Sequence, residues 1–175
     1  MTCLIAAAAQ SVFFVYALMT DGDAEGVYLY HGQLAVTRQI SLYQDEMTVT
    51  RVPMPYYVIG LSQVLWGPSL LAGRIVSAAI GLASLVLLWL LATRLGGELC
   101  GVLAALFAVT QAYLLGHFAW ASFHSLVSFW LVLGLFVLLG TELRFRHFWA
   151  MVCCTLLFFT RGSLWPLHPL AFLFL

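Results

Sequence analysis

The sequence predicts an all-α, polytopic transmembrane helical bundle with interfacial helices in its first outer loop. Three observations carry that reading. Hydrophobic residues fill 63% of the 175 positions and charged residues only 8%, whereas soluble domains carry roughly 25% charged residues. The apolar residues fall in runs that approach the ~20 positions a bilayer core requires. The polar residues are concentrated: five of the seven acids, Asp21, Asp23, Glu25, Asp45 and Glu46, lie between Asp21 and Tyr57. A formal net charge of zero gives a nucleic-acid partner no electrostatic footing.

Residues 3–20 form the first span. No basic residue precedes this run and no small-x-small cleavage site ends it, so an uncleaved anchor is expected rather than a signal peptide. Residues 21–69 make the outer loop in which the chemistry is placed. Within it, residues 26–40 set Val27, Tyr30, Leu34 and Ile40 among Gln33, Arg38 and Gln39, a modest amphipathic pattern suited to a helix lying in the interface. Residues 53–66, PMPYYVIGLSQVLW, are too few to cross; Pro53 and Pro55 open the run and Gly67-Pro68 closes it. Its Tyr and Trp residues suit the headgroup level, giving a second interfacial helix.

Spans follow at 70–92, 99–115, 120–140 and 148–160. Arg74 sits near the outer end of the first of these, Gly96-Gly97 ends it, and Arg161-Gly162 ends the last. A further span begins at 164–175 and is incomplete. A helix of about 12 residues reaches only about 18 Å, short of a core near 30 Å, so the chain reads as the N-terminal portion of a longer protein. Basic residues in short loops, RFRH at 144–147 above all, place the N-terminus inside. Asp21–Tyr57 and Arg161 then share the outer face. Cys3, Cys100, Cys153 and Cys154 show no ligand spacing and read as small apolar residues.

The acids at the end of the first span have two readings. Asp21, Asp23 and Glu25 either form a solvated loop that ends a helix, or supply a carboxylate that takes a proton from an acceptor hydroxyl beside a membrane-embedded donor. Arg51, Arg74 and Arg161 are candidate phosphate binders, because a guanidinium engages phosphate oxygens in bidentate fashion. The alternatives are an ion pair with a loop acid for Arg74 and a snorkelling side chain for Arg161. His124 either bonds a neighbouring helix or binds a metal. Tyr28, Tyr56 and Tyr57 either line a pocket or pack. No metal-ligand spacing joins the histidines, and no glycine-rich nucleotide loop is present.

Four motifs in order give this chain a resemblance. DGDAEGVY follows the first span; RVPMPYYVIGLSQVLWG opens and closes an interfacial helix; LLAGRIVSAAIGL starts the next span; LFFTRGSLWPLHPL breaks the fifth. Together they resemble the N-terminal region of the GT-C membrane glycosyltransferases, the aminoarabinose-transferase and protein-O-mannosyltransferase-like group. Aligned on Tyr28, Glu25 takes the place of the family glutamate and Ala24 that of the usual aspartate, leaving Asp23 one place early. Arg51 stands for the lysine of the family's proline motif, Arg161 for its Thr-Lys-Gly lysine, and His124 for an aspartate of the fourth span.

The resemblance implies a sugar donor carried on a polyprenyl phosphate and an acceptor that is a lipid, glycan or protein at the outer face of a bacterial inner or plasma membrane. It implies direct displacement with inversion. Asp23 or Glu25, with Asp21 beside them, would activate the acceptor. Tyr28, Arg51, Tyr56, Arg74, His124 and Arg161 would bind substrate. No cofactor is called for; a divalent metal stays open, since some relatives use one and others do not. Two other classes compete: a small transporter or flippase-like bundle for a lipid-linked substrate, and an inactive remnant or structural subunit.

Overall fold

A computed structural model describes residues 25–43 and 52–161. The expected span at 3–20, the acids Asp21 and Asp23, Arg51 and the incomplete span at 164–175 lie outside the described residues. Within them the chain is helical and forms no strand: α1 (Glu25–Val36), α2 (Met54–Trp66), α3 (Leu70–Thr110), α4 (Ala112–Ala119), α5 (His124–Gly140) and α6 (Arg146–Thr160).

Helices α1 and α2 pack on each other through a glycine crossing. A Cβ on Gly60 would fall on the backbone of Gly32, and one on Gly32 would lie 2.6 Å from the Tyr56 carbonyl oxygen. Only two bare backbones fit this closely. Tyr28, Ala35, Tyr56 and Ile59 fill the seam between the helices. Two proline residues start α2 where no helical N–H is needed. Its end feeds α3 through Gly67, whose φ of 84° favours glycine. The side chain of Gln63 then accepts the Ser69 N–H at 2.7 Å, fixing how α3 begins.

Helix α3 is 41 residues long and apolar enough to cross a membrane. It is broken at Gly97 (φ 80°, ψ 177°), a backbone region that is essentially glycine's alone. The chain folds back there. A Cβ on Gly101 would collide with the Thr93 hydroxyl, and one on Gly81 would lie 2.6 Å from the Phe118 Cβ. In a straight helix Thr93 and Gly101 would stand about 12 Å apart at 1.5 Å per residue. Limb 70–96 therefore runs down, and limb 98–110 returns beside it with α4. Gly101 faces Thr93 and Trp89 across the hairpin, and Leu85 packs with Ala108, Leu115 and Phe118; Ala72, Gly73, Ser77, Gly81, Ser84 and Ala105 are buried as well.

Helix α5 runs down and α6 runs up. Gly134 packs beside Cys153, where an added Cβ would lie 3.2 Å from the cysteine Cβ. At the lower end Arg94 donates to the Gly140 carbonyl at 2.7 Å and covers the Phe136 ring. This gives the last carbonyls of α5 a cation. At the upper end Thr160 donates to the Met54 Sδ at 3.1 Å, bringing the end of α6 against the start of α2.

The element bounds amend the expected ones in two regions: the helix expected over 26–40 is Glu25–Val36, closed by the turn at Arg38, and the link before α5 moves. GHFAW was expected as a link between spans ending at 115 and starting at 120. Instead the break comes at Gln111 (φ −81°, ψ 84°), His117 to Ala119 are helical, and the true link is 120–123. Two polar interruptions, Thr110-Gln111 and Gly116-His117, fall close together in this stretch, and only the first breaks the helix.

Candidate functional site

The upper end of the bundle gathers the polar residues. Glu25 is the first residue of α1, and Arg74 lies in the opening turns of α3. They meet because Gly73 has no side chain: a Cβ there would sit 2.5 Å from a Leu29 methyl and 3.0 Å from the Ala121 Cβ. Arg74 Nε donates to Glu25 Oε1 at 2.9 Å and Nη2 to Oε2 at 2.6 Å. The Ala121 N–H adds a third bond to Oε1 at 2.7 Å. Arg74 is 0% exposed and Glu25 3%. Burying each ion costs several kcal/mol, and only paired, well-directed hydrogen bonds return that cost. A planar fork on a carboxylate is that geometry.

The link 120–124, WASFH, is the hub. Besides the Ala121 N–H, it offers the Ser122 hydroxyl, which lies 2.9 Å from His124 Nδ1. The Phe123 ring is contacted on several sides. Tyr28 approaches it edge-on with centroids 6.1 Å apart. His124 stacks on it at 4.1 Å, and the Arg161 guanidinium lies 4.8 Å from its centroid, a cation–π distance. His124 also meets His117, centroids 4.2 Å apart, and Trp120 closes on His117 edge-on. Burial pushes the His117 imidazole below its usual pKa, because desolvation penalises the charged ring.

The structure brings together Glu25, Tyr28, Tyr56, Arg74, His124 and Arg161 from the sequence-derived set. Their roles divide. Arg74 is fully buried and spends its fork on Glu25, so the ion-pair reading replaces the phosphate-binding one. Glu25 is engaged by Arg74 and Ala121, which leaves its oxygens poorly placed to take a proton from a substrate hydroxyl. Tyr56 is fully buried against Tyr28 at 5.1 Å and packs; its neighbour Tyr57 is the one that faces a cavity. Among the described residues His124 hydrogen-bonds Ser122 of the link before it and meets the neighbouring helix α4 through the His117 ring. Arg161 is exposed and stands at the same end of the bundle as Glu25.

Sequence reasoning missed Ala121, Ser122, Phe123 and His117. Ala121 acts through its backbone, which no residue type announces. The available signal was the polar interruption WASFH between two apolar helices, on the end shared with Glu25. Among the described residues no three of His, Cys, Asp and Glu gather to hold a metal ion. No protein-family model matches the chain, and no curated protein or solved structure matches it either.

Proposed function

We propose that this chain belongs to a multi-pass membrane glycosyltransferase. It would move a sugar from a polyprenyl-phosphate donor to an acceptor hydroxyl of a lipid, glycan or protein at the outer face of the membrane. The observation that carries the reading is the Glu25–Arg74–Ala121 clamp. It pins the start of α1 to the end of the bundle where Arg161 emerges. Asp23 is two residues from Glu25, and so at most about 7 Å of extended chain away.

The membrane placement draws on an inverted distribution of polarity. Leu99, Leu103, Phe107, Leu139, Phe148 and Trp149 are at least half exposed, while Glu25, Arg74, Ser77, Ser84 and Ser125 are buried. Water would penalise so much exposed apolar surface; lipid does not. Passes at 70–92, 99–115, 124–140 and 146–160 would then cross, with α1, α2, His117 and the 120–123 link at headgroup level.

In this reading Asp23 takes the proton of the acceptor hydroxyl as its oxygen attacks the anomeric carbon, and the bond to the phosphate oxygen breaks on the opposite face. Arg161 neutralises the charge on the departing phosphate. Glu25 and Arg74 position the acidic segment and do not touch substrate. Removing a general base costs about 10²–10⁴ in rate. Full-length protein in proteoliposomes, given a radiolabelled polyprenyl-phosphate sugar, should therefore lose at least about a hundredfold in transfer on Asp23→Asn. Arg161→Gln should also depress it. Unchanged transfer in both variants, or none in the wild type with any lipid-linked sugar, overturns the reading.

A further inference from the structure

We propose that the cleft between the end of α1 and the start of α2 binds the phosphate of a membrane-lipid headgroup, with Arg38 as its cation. The proposal uses the membrane placement above and is independent of the transfer chemistry.

The cleft is a largely open groove of about 530 Å³, lined by Arg38, Gln39, Ser41, Tyr43, Pro53 and Tyr57 among others. That volume suits a small-molecule site and exceeds what a bare phosphate would fill. It accommodates a phosphate together with its esterified alcohol. Beside the aliphatic Ala35, Ile40, Leu42 and Pro53, the lining presents the polar groups of Arg38, Gln39 and Ser41 and the rings of Tyr43 and Tyr57, donors that a headgroup uses and an acyl chain does not.

Arg38 closes α1 as a left-handed cap. Its φ is 58°, its N–H donates to the Ala35 carbonyl at 3.1 Å, and the Gln39 N–H reaches back to the Leu34 carbonyl at 2.8 Å. Glycine is the usual residue in this turn, and the turn itself uses nothing of the arginine side chain. Among the described residues the Arg38 guanidinium makes no hydrogen bond or ion pair, so its paired N–H groups are open to phosphate oxygens. The Gln39 amide and the Ser41 hydroxyl add donors, and Tyr43 and Tyr57 present rings that are 58% and 50% exposed.

The lipid source follows from α2. Tyr57, Leu61, Val64 and Leu65 are spaced as one helical face and all are exposed. An outward apolar stripe of this kind lies in the acyl boundary. Since Tyr57 both lines the cleft and starts the stripe, the cleft opens at headgroup depth. A soluble phosphate ester would have no use for the stripe.

The test is native mass spectrometry of the full-length protein in detergent, titrated with phosphatidylglycerol, phosphatidylcholine or free glycerol 3-phosphate. Arg38→Gly removes the guanidinium and suits the left-handed turn, so its Tm should be unchanged or raised. Its retained phosphatidylglycerol should fall about tenfold, as expected on losing a charge-assisted pair. Arg38→Asn, also tolerant of the turn, should do the same, and Arg38→Lys should retain an intermediate level. Wild-type lipid retention in Arg38→Gly and Arg38→Asn overturns the site. Glycerol 3-phosphate binding as tightly as the lipid overturns the lipid source. Preference for phosphatidylcholine over phosphatidylglycerol overturns the charge argument. Sugar transfer is not read in any arm, so failure here leaves the transferase reading where it stood.

Discussion

Arg74→Met is the most informative single change. It strips the buried Glu25 carboxylate of a two-bonded guanidinium at 2.9 and 2.6 Å. Leaving one partner of a buried pair behind costs about 3–5 kcal/mol, a large part of the ~5–15 kcal/mol that holds a typical domain folded. Glu25→Leu should cost about as much, for it abandons the buried guanidinium instead. The double variant behaves differently. With both charges gone neither desolvation penalty remains, and the Ala121 N–H loses its acceptor at about 1–3 kcal/mol. The double variant should therefore be more stable than either single one, with a coupling energy near the upper end of contact pairs, about 3 kcal/mol. Denaturant titration of the four proteins in one detergent, followed by tryptophan fluorescence, measures the cycle. A double variant destabilised by the sum of the single losses would refute the clamp.

Gly60→Ala drives a Cβ into the Gly32 backbone and should cost about 1–3 kcal/mol or more by overpacking, read as a fall in Tm; Gly26→Ala, open around its Cβ, should be neutral or mildly stabilising. Gly97→Ala puts a side chain at φ 80° and should cost about 1–3 kcal/mol, with cross-linking between Thr93 and Gly101 positions reporting whether the hairpin opens. His117 has a folded pKa depressed by burial, so the unfolded chain takes up its proton first. Stability from this group is complete above the unfolded value of about 6.5 and is lost as pH falls through the lowered folded one. His117→Gln should flatten that slope.

The helices were legible because apolar run length and Gly/Pro punctuation are local properties. Pro53 and Pro55 announced α2, and Gly97 announced the turn within α3. The α4 boundary was not legible, since Thr110-Gln111 and Gly116-His117 both interrupt the apolar run and the break at Gln111 is conformational. In the site, a buried Arg74 near a loop acid was one of two readings available from charge cost alone. Choosing between them needed the fold, because Glu25 and Arg74 are 49 residues apart and meet only where Gly73 lets α1 and the 120–123 link close on α3. The Ala121 N–H carries no mark in the sequence, and neither does the role of Phe123 as the ring between Tyr28, His124 and Arg161.

The central claim is that the start of α1 and the end of α6 stand on one face of the membrane. In a cysteine-free background, Gly26→Cys and Arg161→Cys would be exposed to an impermeant thiol reagent added to sealed, right-side-out vesicles, with Arg144→Cys marking the opposite end of the bundle. Positions 26 and 161 should label without permeabilisation and position 144 only after it. Labelling of 26 and 161 from opposite sides would contradict the account.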